Sequence, residues 1–69
     1  MEDKRRLWLK ALRAGRGLDQ KDVCKELDIP LSTYACYEIG TRNPTPHNAM
    51  KLSKFFGVPM EKFYTQDIA

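Results

Sequence analysis

Two cysteines and a single histidine occur in this 69-residue sequence, and they do not stand together. Cys24 and Cys36 are twelve positions apart, with no CxxC pair. That spacing excludes a zinc site, and nothing else in the chain calls for a metal or a cofactor. Lone thiols fit packed, unpaired side chains in a reducing compartment, so a cytoplasmic location is expected. No apolar run exceeds a few residues, which leaves nothing long enough to span a membrane. The basic run Lys4-Arg5-Arg6 is not followed by an apolar segment of the secretory kind. No stretch alternates with period two over strand length, so no sheet is expected. Repeats, low-complexity tracts and linkers are absent too, which points to one domain over residues 1–69. His47 has no nucleophile arranged with it and reads as a surface side chain. No cluster of titratable groups suggests an enzyme or a small-molecule substrate.

What is present suits a small helical bundle. The chain is 42% apolar and 30% charged, ordinary values for a folded domain. Its net charge of +3 is unevenly spread. Residues 1–16 hold six basic and two acidic residues, whereas residues 17–69 hold six and seven. A basic first helix suits a polyanion such as nucleic acid.

Punctuation predicts five helices. The first runs from Asp3 to Ala14 and stops at Gly15 and Gly17. Leu9 and Leu12 share its inner face, with Trp8 and Arg13 on the flanks. The second starts after Asp19, an N-cap with Asp22 at capping-box spacing, and buries Val23, Cys24 and Leu27. It stops at Asp28, and Pro30 then opens the third, Leu31 to Ile39, closed by Gly40. Thr45-Pro46 opens the fourth, which ends at Phe56 before Gly57, with Ala49, Leu52, Ser53 and Phe56 inward. Pro59 to Tyr64 makes a short fifth, with Phe63 inward.

Residues 20–39, QKDVCKELDIPLSTYACYEI, carry the most specific signal. Apolar residues fall at Val23, Leu27, Ile29, Tyr34 and Tyr37, and the small Cys24 stands where two helix backbones must approach. Two helices crossing steeply through a three-residue turn need this layout. The segment resembles the helix-turn-helix of the Cro/phage-repressor-like (XRE) family. The likeness extends from Leu9 to Tyr64. It includes Leu9-Lys10-Ala11-Leu12-Arg13, Gly17-Leu18-Asp19-Gln20, Ser32-Thr33, Glu38, Gly40, Arg42-Asn43-Pro44 and Lys51-Leu52-Ser53-Lys54-Phe55-Phe56-Gly57-Val58.

The resemblance implies an all-α, lambda-repressor-like fold: a compact five-helix bundle acting as a sequence-specific, DNA-binding transcriptional regulator of the repressor kind. Helix 31–39 would enter the major groove of double-stranded DNA. Gln20 would meet a backbone phosphate at the start of the second helix. Leu31, Ser32 and Cys36 would face the bases, flanked by Thr33 and Ala35, and Arg42 and Asn43 would sit beside the backbone. Arg13 and Glu38 would pair across helices one and three. The chain would work as a homodimer, with Leu7, Phe55, Phe63 and Tyr64 as candidate contact residues. The sequence departs from the family pattern at Asp28, Pro30 and Ile39. It also carries Leu31, Ala35 and Cys36 where long hydrogen-bonding side chains are usual. With no Arg, Lys, Gln or Asn on that helix, affinity is expected to lean on phosphates and DNA shape. The same uncharged face also suits an alternative, a protein-interaction module of antitoxin or adaptor type on the same fold.

Overall fold

The computed structural model describes residues 5–64. Four α-helices follow one another: α1 (Leu7–Gly15), α2 (Gln20–Leu27), α3 (Leu31–Ile39) and α4 (Pro46–Phe56). A four-residue 3-10 turn, Met60–Phe63, closes the described chain. The expected fifth helix is therefore this single turn. So short a segment is better served by the tighter three-residue repeat than by an α-helix.

The ends of α2 and α3 show why the motif forms. Asp19 caps α2: the Asp22 amide donates to its Oδ1 at 2.9 Å, and its own amide donates to Asp22 Oδ2 at 2.9 Å. Such a cap contributes on the order of 1 kcal/mol. At the other end Asp28 adopts the left-handed region, φ 57° and ψ 50°, and turns the chain sharply. Asp is among the few side chains that tolerate this conformation. The Lys51 ammonium on α4 donates to the Leu27 carbonyl at 2.9 Å, placing a cation at the negative end of α2. Pro30 precedes α3 with φ −58°, a value its ring already fixes, and brings no amide that needs capping. Gly40, at φ 91°, ends α3 in a conformation that a side chain would strain.

Leu9, Val23, Tyr34, Ala49 and Leu52 are fully buried, with Tyr37, Phe56 and Phe63 nearly so. Cys24 packs among them where α2 meets α3. The Trp8 ring meets Phe63 edge-on, centroids 5.1 Å apart, and so ties the start of α1 to the closing turn.

The first helix starts later than its pattern suggests. Residues 1–4 lie outside the described residues, but Arg6, with φ −88° and ψ 75°, is not helical. The cause is burial. The Arg6 amide donates to the Glu38 carbonyl at 2.8 Å, at the far end of α3. Its guanidinium turns inward, leaving the residue 8% exposed. The amide bond to the end of α3 and the inward guanidinium hold Arg6 just outside the helix.

Candidate nucleic-acid interface

The inner side of α3 is held by one carboxylate. Glu38, 7% exposed, accepts from donors on two other helices and on its own. Arg13 of α1 donates through Nε at 2.7 Å and Nη2 at 3.2 Å. Gln20 of α2 donates through Nε2 at 2.9 Å, and Tyr34 of α3 through its hydroxyl at 2.7 Å. Arg13 also donates to the Leu18 carbonyl at 2.9 Å, which fixes the α1–α2 turn. Three helices are thereby locked at one angle, and α3 is presented in one orientation.

The electrostatics follow from this geometry. Burial pushes the Glu38 carboxyl up, but the hydrogen bonds from Arg13, Tyr34 and Gln20 outweigh it and hold it below its ordinary value. The hydrogen bond to Glu38 raises Arg13 further, and burial together with Glu38 pushes the Tyr34 hydroxyl well up. Burial, then the charge of Glu38, raises the Cys24 thiol.

The outer side of α3 differs in kind. At about 100° per residue, Leu31, Ala35, Ile39, Ser32 and Cys36 succeed one another around an arc of roughly 140°. Leu31 is 41% exposed and Ile39 52%. Ser32 is exposed, whereas Thr33, Ala35 and Cys36 are half-buried. The arc carries no charge and one hydroxyl. Cys36 is less open than its position on the outer face suggests, because it stands at the edge of the arc nearest the buried Tyr37. The two thiols remain distinguishable, since Cys24 is only 8% exposed. A thiol reagent on the native protein should therefore modify Cys36 first and leave the fold intact. Equal or faster labelling of Cys24 would contradict this placement.

Arg6 braces the loop that follows α3. Its Nη1 donates to the Tyr37 carbonyl at 2.6 Å and to the Arg42 carbonyl at 3.0 Å. Its Nη2 donates to the Phe63 carbonyl at 2.9 Å and to Asn43 Oδ1. Burial lowers the pKa of this guanidinium from its ordinary value. Arg42 is exposed, and among the described residues its side chain has no hydrogen-bond or ion-pair partner. Its backbone is held from behind while its charge stays free. Asn43 already spends its carbonyl oxygen on Arg6.

The structure thus places the sequence candidates in two groups. Gln20 and Leu31 line one shallow hollow of about 350 Å³, together with Arg13, Asp19 and Lys21. Arg42 and Asn43 lie beyond the other end of α3. Gln20 shares its side-chain amide with Glu38, so it is a structural tie as well as a surface candidate. Three basic residues of the N-terminal segment are engaged within the fold. Arg6 is buried and Arg13 is paired. Arg16 lies over the Phe55 and Phe56 rings, 5.3 Å from each centroid, and donates to the Phe55 carbonyl at 2.6 Å. These arginines hold the fold. Arg6 was the residue that sequence reasoning missed. No local pattern signals its burial, because the carbonyls it meets, of Tyr37, Arg42 and Phe63, are distant in sequence.

Comparison with known proteins bears on this arrangement. The helix-turn-helix family model matches residues 9–63. The chain is 38% identical over 52 residues to the cryptic phage CTXphi transcriptional repressor RstR of Vibrio cholerae, a match covering 75% of this chain and 47% of the repressor. The chain thus spans about half the length of that relative. It is also 38% identical over 56 residues to an uncharacterized HTH-type transcriptional regulator of Methanocaldococcus jannaschii, covering 81% of this chain and 85% of the regulator. No solved structure matches. A motif with its capped α2, left-handed turn and buried Arg13–Glu38 tie, matched over most of its length, makes this chain a member of the XRE-type helix-turn-helix family.

Proposed function

We propose that this chain is one DNA-binding domain of a transcriptional regulator, of the repressor kind, acting in the cytoplasm as a homodimer and without catalytic activity. The observation that carries the reading is the uncharged outer arc of α3, set beside the free charge of Arg42 on a braced loop. An arc of small and apolar groups admits close approach to a groove, and a fixed cation beside it meets the phosphates. Ser32, with Leu31, Ala35 and Cys36, faces the bases, and Thr33 flanks them. Gln20, Arg42 and Asn43 line the backbone on either side. One recognition helix covers only a few base pairs, so a second copy is needed for a half-site about one helical turn away. Leu7 and Tyr64, 54% and 44% exposed, remain open for that contact. Phe55 is half-buried beneath Arg16 and contributes less.

Fluorescence anisotropy on duplexes selected from a random pool tests this reading. Arg42→Ala should weaken binding to all sequences alike and flatten the plot of log K against log salt by about one unit. Saturation should occur at two chains per selected duplex. A salt slope unchanged by Arg42→Ala would remove Arg42 from the interface. A chain that binds no duplex, but forms a stable complex with a protein partner, would replace the DNA reading altogether.

A further inference from the structure

We infer that α3 reads DNA mainly by apolar contact with the C5-methyl groups of thymine, Leu31 being the residue that sets the preference. This inference rests on the DNA-binding reading above and specifies what its recognition surface recognises. The outer arc of α3 runs from Leu31 through Ala35 to Ile39 with no group able to form a paired hydrogen bond to a base. Guanine and adenine are usually read by such paired bonds from Arg, Lys, Asn or Gln, and α3 has none of these. Ser32 is the one exposed hydroxyl on the arc, and its short side chain reaches whatever the backbone already touches.

In the major groove, the methyl group of thymine is the apolar feature that separates the four base pairs. Leu31 stands at the N-terminal end of α3, where helices of this motif approach the base edges, and 41% of it is open. Ile39, 52% open, lies eight residues further on. At 1.5 Å per residue that is roughly 12 Å, or between three and four base-pair steps. The two branched side chains bracket the half-buried Ala35, so the apolar strip is continuous along the helix. Neither Leu31 nor Ile39 is needed by the core, whose apolar residues are closed without them. The buried Tyr34, Tyr37 and Glu38 anchor the inner side of the helix, so the strip is fixed in direction.

The test uses the selected duplex and the same duplex with deoxyuridine in place of thymidine at single positions. This substitution removes one methyl and leaves every hydrogen-bonding group in place. Wild-type protein should bind about fourfold more weakly for each contacted methyl removed, the ratio expected for one buried methyl group. Leu31→Ala should bring that ratio close to one at its own position, with the salt slope unchanged. Equal binding of the thymidine and deoxyuridine duplexes would overturn the inference and leave the DNA-binding reading standing. A ratio that persists undiminished in Leu31→Ala would also overturn it, since the methyl would then act on DNA shape rather than on this side chain. If no duplex is bound at all, the DNA-binding reading falls as well.

Discussion

Arg6→Ala is expected to lower the melting temperature by on the order of 20 °C. The Arg6 guanidinium donates to three carbonyls, of Tyr37, Arg42 and Phe63, and to the Asn43 amide oxygen. Truncation leaves these acceptors without a donor near the end of α3 and removes the packing of the arginine stem. An unsatisfied buried polar group costs about 1–3 kcal/mol, and entering water offsets part of the total. A net loss of about 3–5 kcal/mol is the expected scale, comparable to breaking a buried charged contact. In a domain of this size each kcal/mol moves the midpoint by about 4–8 °C. Lys10, exposed on α1, is the control. Lys10→Ala should shift the midpoint by little. Equal midpoints for the two variants, followed by circular dichroism, would show that the brace contributes nothing to stability.

Glu38→Ala should be nearly as damaging, for the opposite charge. It strands the Arg13 guanidinium, which is bound at 2.7 Å, together with the Gln20 amide and the Tyr34 hydroxyl. Removing one partner of a buried ion pair costs about 3–5 kcal/mol, whereas Glu61→Ala on the exposed closing turn should cost a few tenths. The same carboxylate has a pH signature. Its folded pKa lies below the ordinary 4.5, so its stabilising effect is complete above that value. The effect is lost as pH falls below 4.5 through the folded value, because the folded state must then give up its charged hydrogen bonds to take a proton. Glu38→Gln keeps the shape without the charge. It should be less stable than wild type near neutrality, and the gap should narrow in acid. Parallel loss of stability in both proteins below 4.5 would mean that Glu38 is not the group responsible.

Much of this architecture was written in local chemistry. Asp19 with Asp22, Asp28 before Ile29-Pro30, and Thr45-Pro46 each signal a helix boundary through the backbone groups they satisfy or forbid. Those boundaries therefore came out where the structure has them. The inner faces of α2, α3 and α4 were equally readable, because burial follows the 3.6-residue period. Arg6 was not readable in this way. A basic residue in a basic run looks like solvated surface, and only the carbonyls of Tyr37, Arg42 and Phe63, distant in sequence, make its burial favourable. The same tertiary pull moved the start of α1 to Leu7. Gln20 is a similar case. Its position marks the start of α2, but its bond to Glu38 depends on the angle between two helices. The closing segment, with its proline and inward Phe63, reads as a helix in sequence, and at four residues it closes instead as a 3-10 turn because so short a segment suits the tighter repeat.

Ser32→Glu decides whether the outer arc of α3 meets DNA. Ser32 is exposed in the first turn of α3, where a carboxylate is favoured by the helix dipole and no core contact is disturbed. The variant should therefore unfold at or slightly above the wild-type midpoint. Its new negative charge would face the phosphates and displace the helix from the groove. Anisotropy on the selected duplex, at two salt concentrations, should show binding lost at both. Wild-type affinity in a fully folded Ser32→Glu protein would mean that α3 lies outside the groove.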